Sequence, residues 1–323
     1  MARVTIVVPD DFPISYGSVS HPDLARLQPY GDVVTHTTRF ADRDEFFGRI
    51  AEADVVVNVR AYSRFDEEAL EHAPRLKMIS VQGVGTDNID LEAANRRGIV
   101  VTNTPGVNAV SVAEMTIGLI LAVARAIPLS DRRMREGVWQ HPPAIELQGK
   151  TLGLLGLGSI GAYTAKLAAG LGLNVIAWSW TNDPERAARL GVELVERDDL
   201  FRRADVVSVH LRNTPEARGS VGKHELYLMK PTAILINTAR AALLDQDAVV
   251  EALAAGKIAG AGFDVYLNEP MPLEENPFRE MENVVLQPHA GGVTAESSER
   301  SNRAPVDNVI AFLEGKPVNV VNP

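Results

Sequence analysis

Three side chains that could hold a carboxylate and move a proton are Arg240, Glu269 and His289, each of which follows a strand-like apolar run. Parallel strands end at one edge of a sheet, where open α/β folds bind ligands, so we expect the three to converge. Reduction of a 2-keto acid requires such a set. A planar cation binds the substrate carboxylate and carbonyl, and an acid protonates the carbonyl oxygen as hydride reaches the carbon.

Each of these residues also has an ordinary structural interpretation. Arg240 could cap a helix or pair with Asp245. Glu269 could be a surface carboxylate, and His289 could be a hydrogen-bonded loop histidine. Their combination beside a dinucleotide-binding turn favours a catalytic role.

That turn has the sequence GLGSIG at residues 156–161, between the strand-like run 151–155 and a predicted helix. The first glycine permits a tight turn, the second lets the backbone approach a pyrophosphate, and the third lets the helix pack closely on its strand. The strand-helix-strand setting disfavours a glycine-rich packing turn without a ligand. The predicted cofactor-binding residues of the turn are Gly156, Gly158, Ser159, Ile160 and Gly161.

The residue that ends the second strand of this unit should discriminate between NAD and NADP. An acidic residue there would bind both ribose hydroxyls of NAD, but the position falls on Ser179, which would not repel a 2′-phosphate. No lysine or arginine lies between Ser179 and Pro184. Asp183 would oppose the phosphate if it faced the site, whereas Arg186 could reach back to it. We expect NAD(H) or NADP(H), with a slight preference for NADP(H) or dual use.

Two series of alternating strands and helices must position these groups. The strand-like runs are 4–8, 33–37, 54–59, 78–81 and 99–102 in the first series, and 151–155, 174–178, 205–209, 233–236, 259–265 and 284–286 in the second. This alternation predicts an α/β protein with two Rossmann-like or flavodoxin-like domains, each with a parallel sheet. The active site is expected in the cleft between the domains.

Two long predicted helices set the domain boundaries. One runs from Ala109 to about Ile127 after a break at 103–106, and the other covers Thr294 to Glu314 before a strand-like tail at 317–321. The simplest topology returns this tail to the first domain. We predict an outer, substrate-binding domain of residues 1–103 plus 296–323 and a dinucleotide-binding domain of residues 104–295.

The composition argues against several other classes of protein. A formal net charge of −10 opposes binding to nucleic acid or to an anionic membrane. The absence of cysteine excludes disulfides and a thiol nucleophile, and it fits a cytoplasmic location. The 7 histidines are scattered along the chain, so no metal site is expected.

The chain resembles the D-isomer-specific 2-hydroxyacid dehydrogenases over nearly its whole length. The resemblance is carried by VGTDNID at 84–90, SVAE at 111–114, GKTLG at 149–153, NTAR at 237–240, DVY at 264–266, EP at 269–270 and PHAGG at 288–292. The family commonly has serine and glycine beside the arginine, where this chain has Ala239 and Ala241. The guanidinium itself is retained.

The resemblance implies a role for each member of the reacting set. Arg240 would bind the substrate carboxylate or keto oxygen. His289 would protonate that oxygen during reduction and act as the base in the reverse direction. Glu269 would orient the imidazole and stabilise the imidazolium.

Further contacts are implied in the same way. Thr238 and Asp264 would bind the cofactor, Asp264 through the nicotinamide amide. The backbone N–H groups of Val84 and Gly85 would bind the substrate carboxylate. Arg60 could add a second cation, although a solvated or salt-bridged arginine is an equal alternative.

The function implied is hydride transfer between a nicotinamide cofactor and a small 2-keto or D-2-hydroxy acid such as glyoxylate or hydroxypyruvate. Pyruvate and aryl pyruvates stay open as substrates, and phosphite oxidation is a minor alternative. Formate dehydrogenases are less similar because they have glutamine in place of Glu269, and a phosphoglycerate dehydrogenase with a regulatory tail is not expected because the chain ends at Pro323. A homodimer is expected, since the segment 109–139 resembles the part that contacts the partner subunit.

An alternative from a different class is a catalytically weak, dinucleotide-sensing scaffold of the same fold, such as a transcriptional corepressor. Such proteins can keep the arginine, glutamate and histidine, so the residues alone leave it open. The acidic chain argues against it.

Overall fold

The computed structural model describes residues 3–60 and 62–322, and the chain divides into two compact units. The first unit comprises residues 1–108 and 294–323, and the second comprises residues 109–293. Each unit contains one parallel β-sheet covered by helices, so the predicted α/β fold class is confirmed.

The first unit has a five-stranded sheet in the order β2-β1-β3-β4-β5. Its strands are β1 (Val4–Val8), β2 (Gly31–Thr35), β3 (Val55–Asn58), β4 (Met78–Val81) and β5 (Val100–Thr102). Its helices are α1 (Pro22–Ala25), α2 (Arg43–Ile50), α3 (Glu67–Glu71), α4 (Leu91–Arg96) and α12 (Ala295–Leu313). The central strands β3 and β4 are buried along their whole length, as expected for a parallel sheet with both faces covered.

The second unit has a seven-stranded sheet in the order β12-β11-β10-β9-β6-β7-β8. Its strands are β6 (Thr151–Leu155), β7 (Asn174–Trp178), β8 (Glu193–Leu194), β9 (Val206–Val209), β10 (Ile234–Asn237), β11 (Gly260–Phe263) and β12 (Val284–Leu286). Its helices are α5 (Ala109–Ala124), α6 (Ile127–Arg135), α7 (Ser159–Gly170), α8 (Pro184–Leu190), α9 (Arg197–Arg203), α10 (Lys223–Leu228) and α11 (Gln246–Ala254). The chain runs outward from β6 to β8 and then crosses back to β9, so the strand order reverses between β6 and β9.

The structure corrects three details of the predicted elements. The long helix ends at Ala124 rather than near Ile127, and a separate helix begins at Ile127. The first helix cannot continue because Pro128 lacks the N–H that would donate to the Ala124 carbonyl. Strand β2 spans 31–35 instead of 33–37. The tail forms a single antiparallel bridge, Val320 with Thr102, instead of a full strand.

The C-terminal segment nevertheless belongs to the first unit. Val306 and Val309 of α12 pack in the same apolar cluster as Ile6 of β1. Farther along, Val321 donates its N–H to the carbonyl of Val101 at 2.9 Å. The final residues are therefore held against β5.

Among the described residues, no single helix is long and apolar enough to cross a membrane, and only the pair α5 and α6, bent by 60°, passes that test by length and composition together.

Candidate active site

His289 and Glu269 form an ion-pair-like hydrogen bond at the carboxyl edge of the second sheet. His289 follows β12 and Glu269 follows β11, and these two strands are neighbours. Nδ1 of His289 lies 2.6 Å from Oε2 of Glu269, and the other carboxylate oxygen accepts the N–H of Tyr266 at 2.8 Å. The second ring nitrogen, Nε2, has no hydrogen-bond partner within residues 3–60 and 62–322. This arrangement directs one nitrogen of the imidazole to the carboxylate and leaves the other for a substrate.

The Glu269 carboxylate is ionised over an unusually wide pH range. Partial burial is the largest single influence on this carboxyl and raises its pKa, whereas the hydrogen bonds from the His289 ring and from the Tyr266 N–H lower it. The charges of His289 and Arg240 act in the same direction, so the pKa lies below its usual value. An ionised Glu269 accepts a hydrogen bond from the Nδ1–H group and stabilises the imidazolium form of the ring.

Arg240 follows β10, the neighbour of β11, and its loop is fixed by a buried side chain. Asn237 is fully buried; its carbonyl oxygen accepts the Ala239 N–H at 3.0 Å, and its amide donates to the Arg240 carbonyl at 2.9 Å. Nη1 of the guanidinium donates to the carbonyl of Ala239. Because Arg240 also lowers the pKa of Glu269, the structure brings a cation, a carboxylate and an imidazole together at one edge.

The backbone at His289 is in the left-handed region, with φ of 54°. Asp264, which is 2% exposed, holds this loop by accepting the N–H groups of Ala290 at 2.7 Å and Gly291 at 2.8 Å. A Cβ at position 291 would lie 2.7 Å from the Asp264 carboxylate, so only glycine permits this contact. Asp264 therefore positions the loop that carries His289, and its contact with the nicotinamide amide stays a prediction.

The three glycines of the turn differ in the space around them. A Cβ at Gly156 would lie 2.7 Å from the carbonyl oxygen of His210, and one at Gly161 would lie 2.4 Å from that of Gly156. A Cβ at Gly158 would meet no described atom within 4 Å. Packing thus explains the first and third glycines, and the second borders open space at the start of α7, where free N–H groups attract phosphate.

The end of β7 carries the predicted cofactor-discriminating residue. Ser179 is half-buried, and its hydroxyl lies 3.2 Å from that of Thr181. Asp183 caps α8 by accepting the Arg186 N–H at 2.9 Å. The carboxylate that could have opposed a phosphate therefore has a structural partner.

Thr238, the remaining candidate in the second unit, is nearly buried, and its hydroxyl lies 2.9 Å from that of Thr116 in α5. Its predicted contact with the cofactor stays a prediction.

In the first unit, Arg60 donates to the carbonyls of Phe12 and Pro13 and to the Ser15 hydroxyl. These contacts favour its structural interpretation. The N–H groups of Val84 and Gly85 donate to no residue that the structure describes, and their role in binding a carboxylate stays a prediction.

Comparison with known proteins identifies this arrangement. The family model described as "D-isomer specific 2-hydroxyacid dehydrogenase, NAD binding domain" matches residues 117–291, more than half of the chain. The chain belongs to this family. As a 2-hydroxyacid dehydrogenase it catalyses NAD(P)-linked reduction of a keto acid.

Individual relatives differ in their named substrates. The chain is 43% identical to "Glyoxylate reductase" from Thermococcus litoralis, with 85% of each chain covered. It is 41% identical to "D-3-phosphoglycerate dehydrogenase" from Archaeoglobus fulgidus, covering 87% of this chain and 53% of that one. Its structure resembles an NADPH-dependent glyoxylate/hydroxypyruvate reductase from Sinorhizobium meliloti, solved with NADP and malonate, with a TM-score of 0.84, 29% identity and coverage of 99% and 97%.

The sequence analysis missed one residue of this dehydrogenase, His210, which follows β9 beside the glycine turn. Burial lowers the pKa of its ring to about 4, so the ring is neutral at pH 7. Its Nε2 lies 2.9 Å from the Ser208 hydroxyl, and Nδ1 is buried without a partner among the described residues. Its place directly after the apolar run 205–209 is the signal that the sequence offers.

Substitution of Gly158 by alanine should weaken NAD(P)H binding about tenfold or more without lowering the melting temperature. The added methyl has room in the protein, but it would occupy the space into which the pyrophosphate fits. Cofactor fluorescence titration and thermal unfolding measure the two effects. The matched control, Gly161→Ala, should instead destabilise the fold, since its Cβ would collide with a backbone carbonyl. Normal cofactor affinity in Gly158→Ala would contradict the assignment.

Replacement of Glu269 by glutamine should lower kcat about 10- to 100-fold, because a charge-assisted hydrogen bond to the imidazole is lost. The pKa of Glu269 is depressed, so the wild-type carboxylate supports activity above that pKa and this support is lost as the pH falls through it. The variant should lack this acidic limb of the kcat profile. Identical profiles for the two proteins would show that the carboxylate does not act through His289.

Proposed function

We propose that this dehydrogenase reduces a small 2-keto acid of the glyoxylate or hydroxypyruvate type to its 2-hydroxy acid. The observation that carries the proposal is the pair of Glu269 and His289, 2.6 Å apart, with Arg240 close enough to lower the pKa of the carboxyl. An imidazole can donate or accept a proton, which suits both directions of the reaction.

In the proposed mechanism the reduced nicotinamide, when bound, supplies the hydride that the carbonyl carbon accepts. Arg240 binds the substrate carboxylate or the keto oxygen and stabilises the negative charge that grows on that oxygen. His289 gives the proton on Nε2 to the same oxygen, which completes the hydroxyl group. Glu269 keeps its hydrogen bond to Nδ1 while the imidazole changes from the charged to the neutral form.

The choice of substrate class rests on the relatives. Those named glyoxylate reductase, from Thermococcus litoralis and Aeropyrum pernix, match at 43% and 42% identity over 85% and 86% of their own lengths. Relatives named D-3-phosphoglycerate dehydrogenase match at 39–41% identity. The somewhat higher identity of the glyoxylate reductases supports a small, unphosphorylated acid as the substrate.

For the cofactor, the proposal is NADP(H) or dual use. Ser179 offers a hydroxyl where NAD-specific members carry an acid, and the Asp183 carboxylate is occupied by the first turn of α8. Related structures have been solved with NADP and NADPH.

The protein is further proposed to act as a cytoplasmic homodimer. Three large apolar side chains in and after α6 are strongly exposed, namely Ile127 (53%), Met134 (52%) and Trp139 (77%). A second copy of the chain would cover such a surface. The absence of cysteine from the sequence favours a reducing compartment.

The test is a reductase assay with purified protein, a panel of 2-keto acids and each reduced cofactor in turn. The panel contains glyoxylate, hydroxypyruvate, pyruvate, an aryl pyruvate and a phosphorylated 2-keto acid. The proposal expects the highest kcat/KM for one of the first two acids and at least equal use of NADPH. A preference for the phosphorylated acid would replace the substrate class, and strict use of NADH would refute the cofactor proposal.

A further inference from the structure

Arg212 is an exposed arginine at the carboxyl edge of the second sheet, and none of the roles described above includes it. It is the third residue after β9, in the loop that begins where the strand order reverses between β6 and β9. Ligands of open α/β sheets bind in the crevice at such a reversal. The guanidinium forms no hydrogen bond or ion pair with any residue in 3–60 or 62–322.

The backbone that carries Arg212 is fixed directly against the glycine turn. The N–H of His210 donates to the Leu155 carbonyl at 2.8 Å, and the His210 carbonyl touches Gly156. Leu211 is buried, and the Thr214 N–H donates to the Arg212 carbonyl at 3.1 Å. The loop is therefore anchored on both sides of a side chain that points to solvent.

The opposite wall of the same crevice is the end of β7, where Ser179 lies. The Gly156 N–H donates to the Trp178 carbonyl at 2.8 Å, so the glycine turn contacts both β7 and β9. A dinucleotide whose pyrophosphate lies on this turn has its adenosine half between these two walls.

The loops that border this crevice contain few charged side chains. The three loops that follow β6, β7 and β9, residues 156–161, 179–183 and 210–214, contain one arginine and no lysine. His210 is neutral at pH 7 because burial lowers its pKa to about 4. The acidic residue among them, Asp183, is bound to the N-terminus of α8. Arg212 is thus the cation that these loops offer to an anionic group on the adenosine.

We propose that Arg212 binds the 2′-phosphate of NADP(H) from the β9 side of the crevice, with the Ser179 hydroxyl on the other side. A guanidinium pairs with phosphate through directed, charge-assisted hydrogen bonds, which a serine alone does not supply. This assignment rests on the proposed use of NADP(H). It makes an arginine after the fourth strand of the unit, rather than one after the second, responsible for cofactor preference.

The experiment compares the binding of 2′,5′-ADP (adenosine 2′,5′-bisphosphate) and 5′-AMP, which differ only in the 2′-phosphate, to wild type, Arg212→Leu and Arg186→Leu by calorimetry. Arg186 lies in the first turn of α8 and is the competing cation. Arg212→Leu should bind 2′,5′-ADP about 10- to 100-fold more weakly and 5′-AMP with nearly unchanged affinity. Arg186→Leu should bind both as wild type does. Circular dichroism and thermal unfolding verify that each variant is folded.

Three results would overturn the assignment. Wild type could bind 2′,5′-ADP no more tightly than 5′-AMP, Arg212→Leu could lose both nucleotides equally, or the selective loss could occur in Arg186→Leu. The assay does not depend on turnover. Absence of keto-acid reduction together with a selective loss in Arg212→Leu would refute the proposed substrate and leave this site intact. Keto-acid reduction that uses NADH alone would instead refute the 2′-phosphate site and leave the proposed substrate intact.

Discussion

Replacement of His289 by alanine is expected to lower kcat for reduction of the 2-keto acid about 10²- to 10⁴-fold, the usual contribution of a positioned general acid. The imidazole is held by Glu269 at 2.6 Å, and no other titratable side chain of the described chain shares that bond. Steady-state kinetics with saturating cofactor measure the effect. Affinity for NAD(P)H should stay within about twofold of the wild type, since the glycine turn is untouched.

The same variant separates an enzyme from a dinucleotide-sensing scaffold. An enzyme loses turnover while it keeps cofactor binding, whereas the partner binding of a scaffold should be indifferent to the imidazole. His289→Gln serves as the companion, because it retains a polar side chain at a position with positive φ but cannot act as an acid near pH 7. Turnover close to wild type in both variants would remove His289 from the mechanism.

Substitution of Arg240 by glutamine is expected to lower kcat/KM about 100-fold or more. The guanidinium makes charge-assisted bonds to substrate oxygens, each of which contributes about 1.5–3 kcal/mol, and it stabilises the charge that develops on the keto oxygen. Part of the loss should appear in kcat and part in KM, because the interaction is present with bound substrate and strengthens in the transition state.

Arg240→Lys is the matched control for this prediction. It keeps the charge but loses the planar fork, so its activity should lie between those of wild type and Arg240→Gln. Since Arg240 also lowers the pKa of Glu269, both effects should be read at neutral pH, where that carboxyl is ionised in every variant. Equal activity of the glutamine and lysine variants would show that the cationic charge is not what Arg240 contributes.

The strands and the reacting set could be predicted because both depend on local pattern. Apolar runs such as 151–155 and 206–209 are buried on both faces, and this requirement makes them continuous in sequence. Polar residues that follow successive parallel strands must meet at one edge of the sheet. The strand pattern therefore brings Glu269 and His289 to one edge although they are 20 residues apart, and the family resemblance predicts that they pair.

Other features depend on contacts that no local pattern encodes. Asp264 is held to the backbone of Ala290 and Gly291 across 26 and 27 residues, and it fixes a left-handed His289 that the sequence does not reveal. Strand β8 has only two residues, so it is too short to show the apolar pattern by which a strand is predicted from sequence. The break after Ala124 escapes prediction because the apolar pattern continues across it, although Pro128 signals it.

The identity and configuration of the product decide whether the protein is a D-specific reductase of 2-keto acids. Hydroxypyruvate is incubated with the protein and reduced cofactor, and the hydroxy acid is quantified and resolved on a chiral column. We expect one equivalent of the D-2-hydroxy acid for each cofactor oxidised, and none from His289→Ala over the same time. Formation of the L-isomer, or cofactor oxidation without a hydroxy acid, would contradict this expectation.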